Sequence, residues 1–225
     1  MDQAVKPYYE DTDSGITIYH GDCREILPTL GSCDLVLTDP PYGIGADRNL
    51  RAGLQHGAAA APSKDYGDGC WDGAPPEQTL LDAMVASARY AIVWGGNYFR
   101  FRPTAGWLVW DKDNGGNGYA DCELAWTNLP HAIRRLRYRW MGMLQEHMGA
   151  DKEERVHPTQ KPLDVMRWAP LQAPEDCSTI LDPFMGSGTT LRAAKDMGRH
   201  AVGIEIEERY CEIAAQRLSQ ETLGL

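Results

Sequence analysis

Residues 178–205 constrain the fold of this chain more than any other stretch. Ser178-Thr179-Ile180-Leu181 is short and β-prone, and it runs into Asp182-Pro183-Phe184-Met185-Gly186-Ser187-Gly188-Thr189-Thr190. Leu191-Arg192-Ala193-Ala194-Lys195-Asp196-Met197 then reads as a helix with Gly198 as its C-terminal cap. Ala201-Val202-Gly203-Ile204 is the next apolar run, and it ends at Glu205. Strand, glycine-rich turn, helix, strand and acid form the order of a nucleotide-binding βαβ unit. In such a unit the glycines admit the ligand close to the backbone, and the acid takes ribose hydroxyls.

The details select the kind of nucleotide. The second half of a pyrophosphate fingerprint is missing, because Gly186-Ser187-Gly188 continues directly into Thr189-Thr190. No Gly-Lys-Ser/Thr closes a phosphate loop either. A nucleoside with an amino-acid tail and no phosphate fits better, and S-adenosyl-L-methionine is such a ligand. A Gly-x-Gly turn alone is often only structural; Asp182 and Glu205 on either side favour the cofactor.

Asp39-Pro40-Pro41-Tyr42 follows the apolar run Leu35-Val36-Leu37. Two prolines cannot continue a strand ladder, so the chain leaves the sheet here in a stiff turn. The turn gathers a carboxylate, a proline carbonyl and an aromatic ring, a set able to grip a flat heterocycle with an amino group. The bland reading is a rigid turn with a surface Asp.

Together these segments resemble the DNA amino-methyltransferases that modify adenine-N6 or cytosine-N4, in the circularly permuted β group, and within it the compact, phage-type members. The carrying residues are Asp39–Tyr42, Asp182–Thr190, His157-Pro158-Thr159-Gln160-Lys161-Pro162, Gly21-Asp22, Val93-Trp94-Gly95-Gly96-Asn97 and Val109-Trp110-Asp111-Lys112. The resemblance implies an α/β, Rossmann-like S-adenosyl-L-methionine-dependent fold, with DNA as partner and a flipped-out target base. It implies that Asp39 and the Pro40 carbonyl accept the N6–H bonds, while Pro41 stiffens the turn and Tyr42 stacks on the base. Asp22 would face the cofactor's adenine and Glu205 its ribose. Asp182, Pro183, Phe184, Gly186, Ser187, Gly188 and Thr189 would line the cofactor, with Thr189 and Thr190 capping the helix. Lys161 either bonds the methionine carboxylate or decorates the turn before Pro162. Trp94, Trp107 and Trp110 read as core; Asn97 and Lys112 read as pocket wall. An Asp at the first motif position resembles adenine enzymes, and cytosine-N4 is the alternative.

The net charge of −10 opposes a DNA-binding role, since phosphate contacts need basic surface. Charge is unevenly spread, however. Residues 131–161 hold seven Lys/Arg against four Asp/Glu. A strand through Arg134-Arg135-Leu136-Arg137-Tyr138-Arg139-Trp140 would turn Arg135, Arg137 and Arg139 to one face and Arg134, Leu136, Tyr138 and Trp140 to the other. DNA contact by these four arginines competes with a charged edge that resists aggregation. Six scattered cysteines lack a Cys-x-x-Cys pair and read as reduced thiols, and neither they nor the six histidines have metal spacing. No apolar run reaches membrane-span length, and Met1–Lys6 lacks the features of a secretory signal. A cytoplasmic protein of a bacterial or phage-infected cell is expected.

The expected architecture is a mostly parallel sheet with helices on both faces. Strands are expected near 15–19, 34–38, 91–95, 106–110, 122–127, 132–138, 178–181 and 200–205. Helices are expected near 23–29, 77–89, 162–171, 189–197 and 207–220. One domain spans 1–225, with a loop at 43–76 after the catalytic turn and a short target-recognition region at 113–155. So short a region suits a relaxed or very short target, or help from a second subunit in a homodimer.

Overall fold

The computed structural model describes residues 5–45, 73–114, 120–141, 144–149, 152–153 and 160–220. The strands are β1 (Tyr9–Asp11), β2 (Ile16–His20), β3 (Cys33–Thr38), β4 (Ala88–Trp94), β5 (Trp107–Asp111), β6 (Cys122–Thr127), β7 (Arg134–Arg137), β8 (Trp140–Met141), β9 (Leu144–Gln145), β10 (Thr179–Asp182) and β11 (His200–Glu205). The helices are α1 (Cys23–Ile26), α2 (Gln78–Ala86), α3 (Leu163–Trp168), α4 (Thr189–Asp196) and α5 (Glu208–Ser219). Nine strands form one sheet in the order β1-β2-β11-β10-β3-β4-β6-β5-β7, and β8 pairs with β9 in a separate ribbon. β2, β11, β10, β3 and β4 run parallel, whereas β6 enters antiparallel to both β4 and β5. This is the α/β architecture expected from the alternation of elements.

Strand alternation explains how both faces of the sheet are covered. On β3, Leu35 and Leu37 join one apolar cluster with Val165, Met166, Leu191, Ala194 and Leu218 from α3, α4 and α5. Val36 points the other way, into a cluster with Ile26, Leu81 and Met84 from α1 and α2. The central strands are fully buried, which is why their sequences read as continuous apolar runs.

The departures from expectation have local causes. The 162–171 helix is α-helical only to Trp168, and Ala169–Gln172, containing Pro170, tightens into a 3-10 turn. Pro28 likewise accompanies the change from α1 to a 3-10 turn over Leu27–Thr29. β4 begins at Ala88 rather than 91, because α2 already ends at Ala86 and Ala88 can pair with Cys33. Most of the expected 43–76 loop lies outside the described residues.

At the end of the sheet away from the strand tips, one carboxylate ties β3 to β10. Asp34 Oδ2 accepts from the Ser178 N–H and hydroxyl and from the Thr179 N–H and hydroxyl at 2.8–3.1 Å. These bonds, led by the Thr179 hydroxyl, hold its pKa below the usual carboxylate range. Asp34→Ala should cost about 1–2 kcal/mol at neutral pH, read from the urea midpoint. Because the folded-state pKa is the lower one, the difference between the two proteins should be full above about pH 4 and shrink as Asp34 protonates below it.

Candidate active site

The motif residues that follow the parallel strands collect at one edge because such strands put their carboxyl ends on the same side. β2 leads into Gly21-Asp22, β3 into Asp39, β4 into Gly95, β10 ends at Asp182 and β11 at Glu205. A cleft of about 510 Å³ opens here; Asp22, Pro41, Pro75, Phe184, Glu205 and Ile206 are among its walls.

One half of the site suits a nucleoside. Glu205 Oε2 accepts from the Gly186 N–H at 2.9 Å and Oε1 from the Glu207 N–H at 2.8 Å, so the carboxylate is fixed at the cleft wall. Burial raises its pKa, the mark of an anion short of compensation and suited to hydroxyl donors. Asp22 caps α1 through the Arg24 N–H at 2.8 Å and also pairs with the Arg24 side chain at 2.5 Å. Its carboxylate therefore faces the cleft already held in place. Pro183 and Phe184 are among the cleft walls, whereas Gly186, Ser187, Gly188 and Thr189 are not. Ile206, 62% exposed beside Glu205, is an apolar wall that the sequence reading passed over.

Asp182 is turned inward. Its carboxylate accepts from the Thr38 hydroxyl at 2.6 Å, the Thr190 hydroxyl at 2.5 Å and the Phe184 N–H at 3.1 Å. Burial pushes its pKa up to about 6. It organises the turn from behind and ties the tip of β10 to the tip of β3. The expected threonine cap is not formed: Gly188 is the N-cap of α4, with φ of 77°, and a Cβ at this position would sit only 2.7 Å from Ala214 Cβ. Thr190 serves Asp182 instead, while Ser187 and Thr189 accept from Arg217.

The other half is built on Asp39. Its Oδ1 accepts from the Tyr42 hydroxyl at 2.5 Å and its Oδ2 from Lys161 Nζ at 2.5 Å. Lys161 also donates to the Tyr42 oxygen at 3.1 Å and lies 3.0 Å from Glu123 Oε2. Glu123 Oε1 in turn pairs with Lys112 at 2.6 Å. The result is an alternating chain, Asp39–Lys161–Glu123–Lys112, running across the strand tips. Lys161 is only 7% exposed, so the reading of it as turn decoration is corrected. Its burial opposes the charge, but Asp39 and Glu123 outweigh that and raise its pKa. Burial would lift Glu123 too, yet Lys161 and Lys112 hold it down to about 2. At Asp39 burial prevails over Lys161, and its pKa is raised.

Tyr42 stacks on Tyr98 with ring centroids 4.9 Å apart and packs edge-on to Phe99. Gly95, with φ of 68°, leaves room for that ring: a Cβ there would sit 2.1 Å from Tyr42. Trp94 and Trp110 are core as expected, and Trp107 is partly buried. Lys112 does reach the site, but Asn97 is exposed in the turn after β4, and its expected place in the pocket wall is corrected. Glu123 was missed. Its signal was an acid inside the apolar strand Cys122–Thr127, next to Trp110 of β5. His157, Pro158 and Thr159 lie outside the described residues.

The arginine strand alternates largely as expected: Leu136, Tyr138 and Trp140 pack on the core, while Arg135, Arg137 and Arg139 are exposed. Arg134 departs from the expectation and is exposed as well. Arg137 and Arg139 both pair with Asp113, and Arg135 lies 3.9 Å from Asp111. Among the described residues no group of acids, histidines or cysteines could hold a metal, and no helix is long and apolar enough to cross a membrane.

The family model of N6/N4 methyltransferases, described as DNA methylase, matches residues 109–216. Type II methyltransferase M2.MboI of Moraxella bovis is 25% identical, with 97% of this chain and 93% of the relative covered. Type II methyltransferase M.ScaI of Streptomyces caespitosus is 28% identical over 98% of this chain and 86% of its own length. Among solved structures, M1.HpyAVI in complex with S-adenosylmethionine superposes with a TM-score of 0.55 at 24% identity, covering 91% of this chain and 100% of that one. The cytosine-N4-specific PvuII DNA methyltransferase gives a TM-score of 0.58 at 15% identity, covering 97% and 91%. The chain thus resembles the N6/N4 DNA methyltransferases in sequence, most clearly over residues 109–216, and its fold is that of the S-adenosyl-L-methionine-dependent methyltransferases.

Proposed function

We propose that this protein transfers the methyl group of S-adenosyl-L-methionine to the exocyclic N6 amine of adenine in a base flipped out of DNA. The observation that carries this reading is the union of two sites: the Thr38–Asp182 bond at 2.6 Å joins the strand that ends in the catalytic turn to the strand that ends in the cofactor turn. Bound S-adenosyl-L-methionine supplies an electrophilic sulfonium methyl. Asp22 would hold its adenine amino group, Glu205 its ribose, and the backbone from Asp182 to Gly188 its methionine side.

Adenine's amine is a poor nucleophile because its lone pair is conjugated into the ring. Asp39 and the Pro40 carbonyl each accept one N–H, drawing the nitrogen toward a tetrahedral form and freeing the lone pair. The same fixed acceptors stabilise the positive charge that grows on nitrogen, at little reorganisation cost. Tyr42 leaves Tyr98 to stack on the base. Arg134, Arg135, Arg137 and Arg139 contribute phosphate contacts. The order of the motifs, catalytic turn first and cofactor turn last, supports the β group, and the short 113–155 stretch supports a compact, phage-like member within a single domain spanning 1–225. Asp39 favours adenine; the fold shared with the cytosine-N4-specific PvuII enzyme keeps cytosine as the second reading.

Transfer of labelled methyl to unmethylated DNA, followed by digestion to nucleosides, tests this directly. Label in N6-methyladenine is expected; label in N4-methylcytosine would overturn the base, and unlabelled DNA the reading. Asp39→Ala should abolish transfer and spare cofactor binding, whereas Asp182→Ala should weaken cofactor binding by loosening the turn, both read by titration calorimetry. Comparable losses of cofactor affinity would contradict these roles. Because burial raises the Asp39 pKa, the transfer rate should fall on acidification at a higher pH than an ordinary aspartate would impose, since only the ionised form is a full acceptor.

A further inference from the structure

Both oxygens of Asp39 are engaged in this structure. Tyr42 must leave Oδ1 if it is to stack on a base, but Lys161 remains on Oδ2 at 2.5 Å. An ammonium there drains the acceptor strength of the carboxylate. It also repels the positive charge that develops on the amine. Solvent offers no escape, because the lysine is 7% exposed and walled by the rings of Tyr42 and Trp94, 5.6 and 5.8 Å from Nζ.

The acceptor that does lie within reach is Glu123. Its Oε2 is buried and 3.0 Å from Nζ, yet it receives no properly directed hydrogen bond in this arrangement. Its other oxygen is pinned by Lys112, whose ammonium rests 5.2 Å over the Trp110 ring. A small rotation of the lysine's terminal bonds would exchange Asp39 for Glu123 without moving the backbone.

We infer that Glu123 is the carboxylate onto which Lys161 withdraws when Asp39 takes the target amine, so that the two act as positioning residues for the transfer step. This rests on the function proposed above. Lys161 keeps the catalytic carboxylate ionised and in place while the site is empty. Glu123 holds the lysine aside during transfer, and Lys112 keeps Glu123 charged and oriented. No bond to carbon is made or broken by this exchange, and the proton inventory of the four groups is unchanged.

The test uses the full chain, unmethylated DNA and labelled S-adenosyl-L-methionine. Glu123→Gln keeps the shape but weakens the alternative site, so kcat should fall about tenfold or more with the KM for DNA and the affinity for cofactor unchanged. Adding Lys161→Met to that variant should restore part of the rate, because a lysine trapped on Asp39 is worse than none. Lys161→Arg provides an independent check: a guanidinium held on Asp39 should give a lower kcat than Lys161→Met, although it preserves the charge. A purely structural ion network predicts the reverse in both cases. A double variant no faster than Glu123→Gln, or Lys161→Arg faster than Lys161→Met, would overturn the exchange. A wild-type protein that leaves DNA unlabelled would instead defeat the proposed function.

Discussion

A lysine ammonium enclosed between two carboxylates is the interaction on which this site depends. Ions taken out of water are costly, and each is tolerated only when a partner compensates it. Asp39 stands at the tip of the central strand β3, where no neighbouring parallel strand supplies a cation. The cation comes from Lys161, just before α3, and its second anion from Glu123 on β6, opposed across the ladder by Trp110 of β5. The antiparallel ribbon of β5 and β6 is thus more than an extension of the sheet. It carries Glu123, the second anion of the lysine that pairs with Asp39.

Much of the fold was legible because its signals are local. The β10–turn–α4–β11 unit is written in consecutive residues, and its apolar runs, glycines and closing acid need nothing from the rest of the chain. β6 and β11 have the expected bounds for the same reason. What escaped the sequence was pairing at long range. Nothing near Lys161 announces that its partner lies 122 positions earlier. Asp182 reads as a ligand-facing acid, but two threonines, one from β3 and one from α4, claim both of its oxygens. The arginines of β7 read as free charge, whereas Asp111 and Asp113 have already drawn on it. Side-chain alternation predicts which face a residue takes, and it is silent about who waits there.

The two halves of the site are held by different physics. The nucleoside side is fixed by backbone donors: Gly186 and Glu207 amides aim Glu205, and the α1 amide of Arg24 aims Asp22. Such bonds are set as soon as the chain is folded. The amine side is fixed by side chains alone, through Tyr42, Lys161 and Glu123, each with torsions that can turn. For the proposed function, a rigid seat for the cofactor and an adjustable one for the incoming base follow from that division.

The Thr38–Asp182 bond has one more consequence. β3 and β10 are adjacent parallel strands, and neighbouring strands lie about 4.8 Å apart. With their far ends clamped by Asp34 and their tips joined by Thr38, the two cannot slide or spread. In the proposed reaction the separation between methyl donor and acceptor is therefore inherited from the spacing of strands in a β-sheet. On that reading, evolution could redraw the loops that choose a DNA sequence without having to re-measure the distance over which a carbon is handed across.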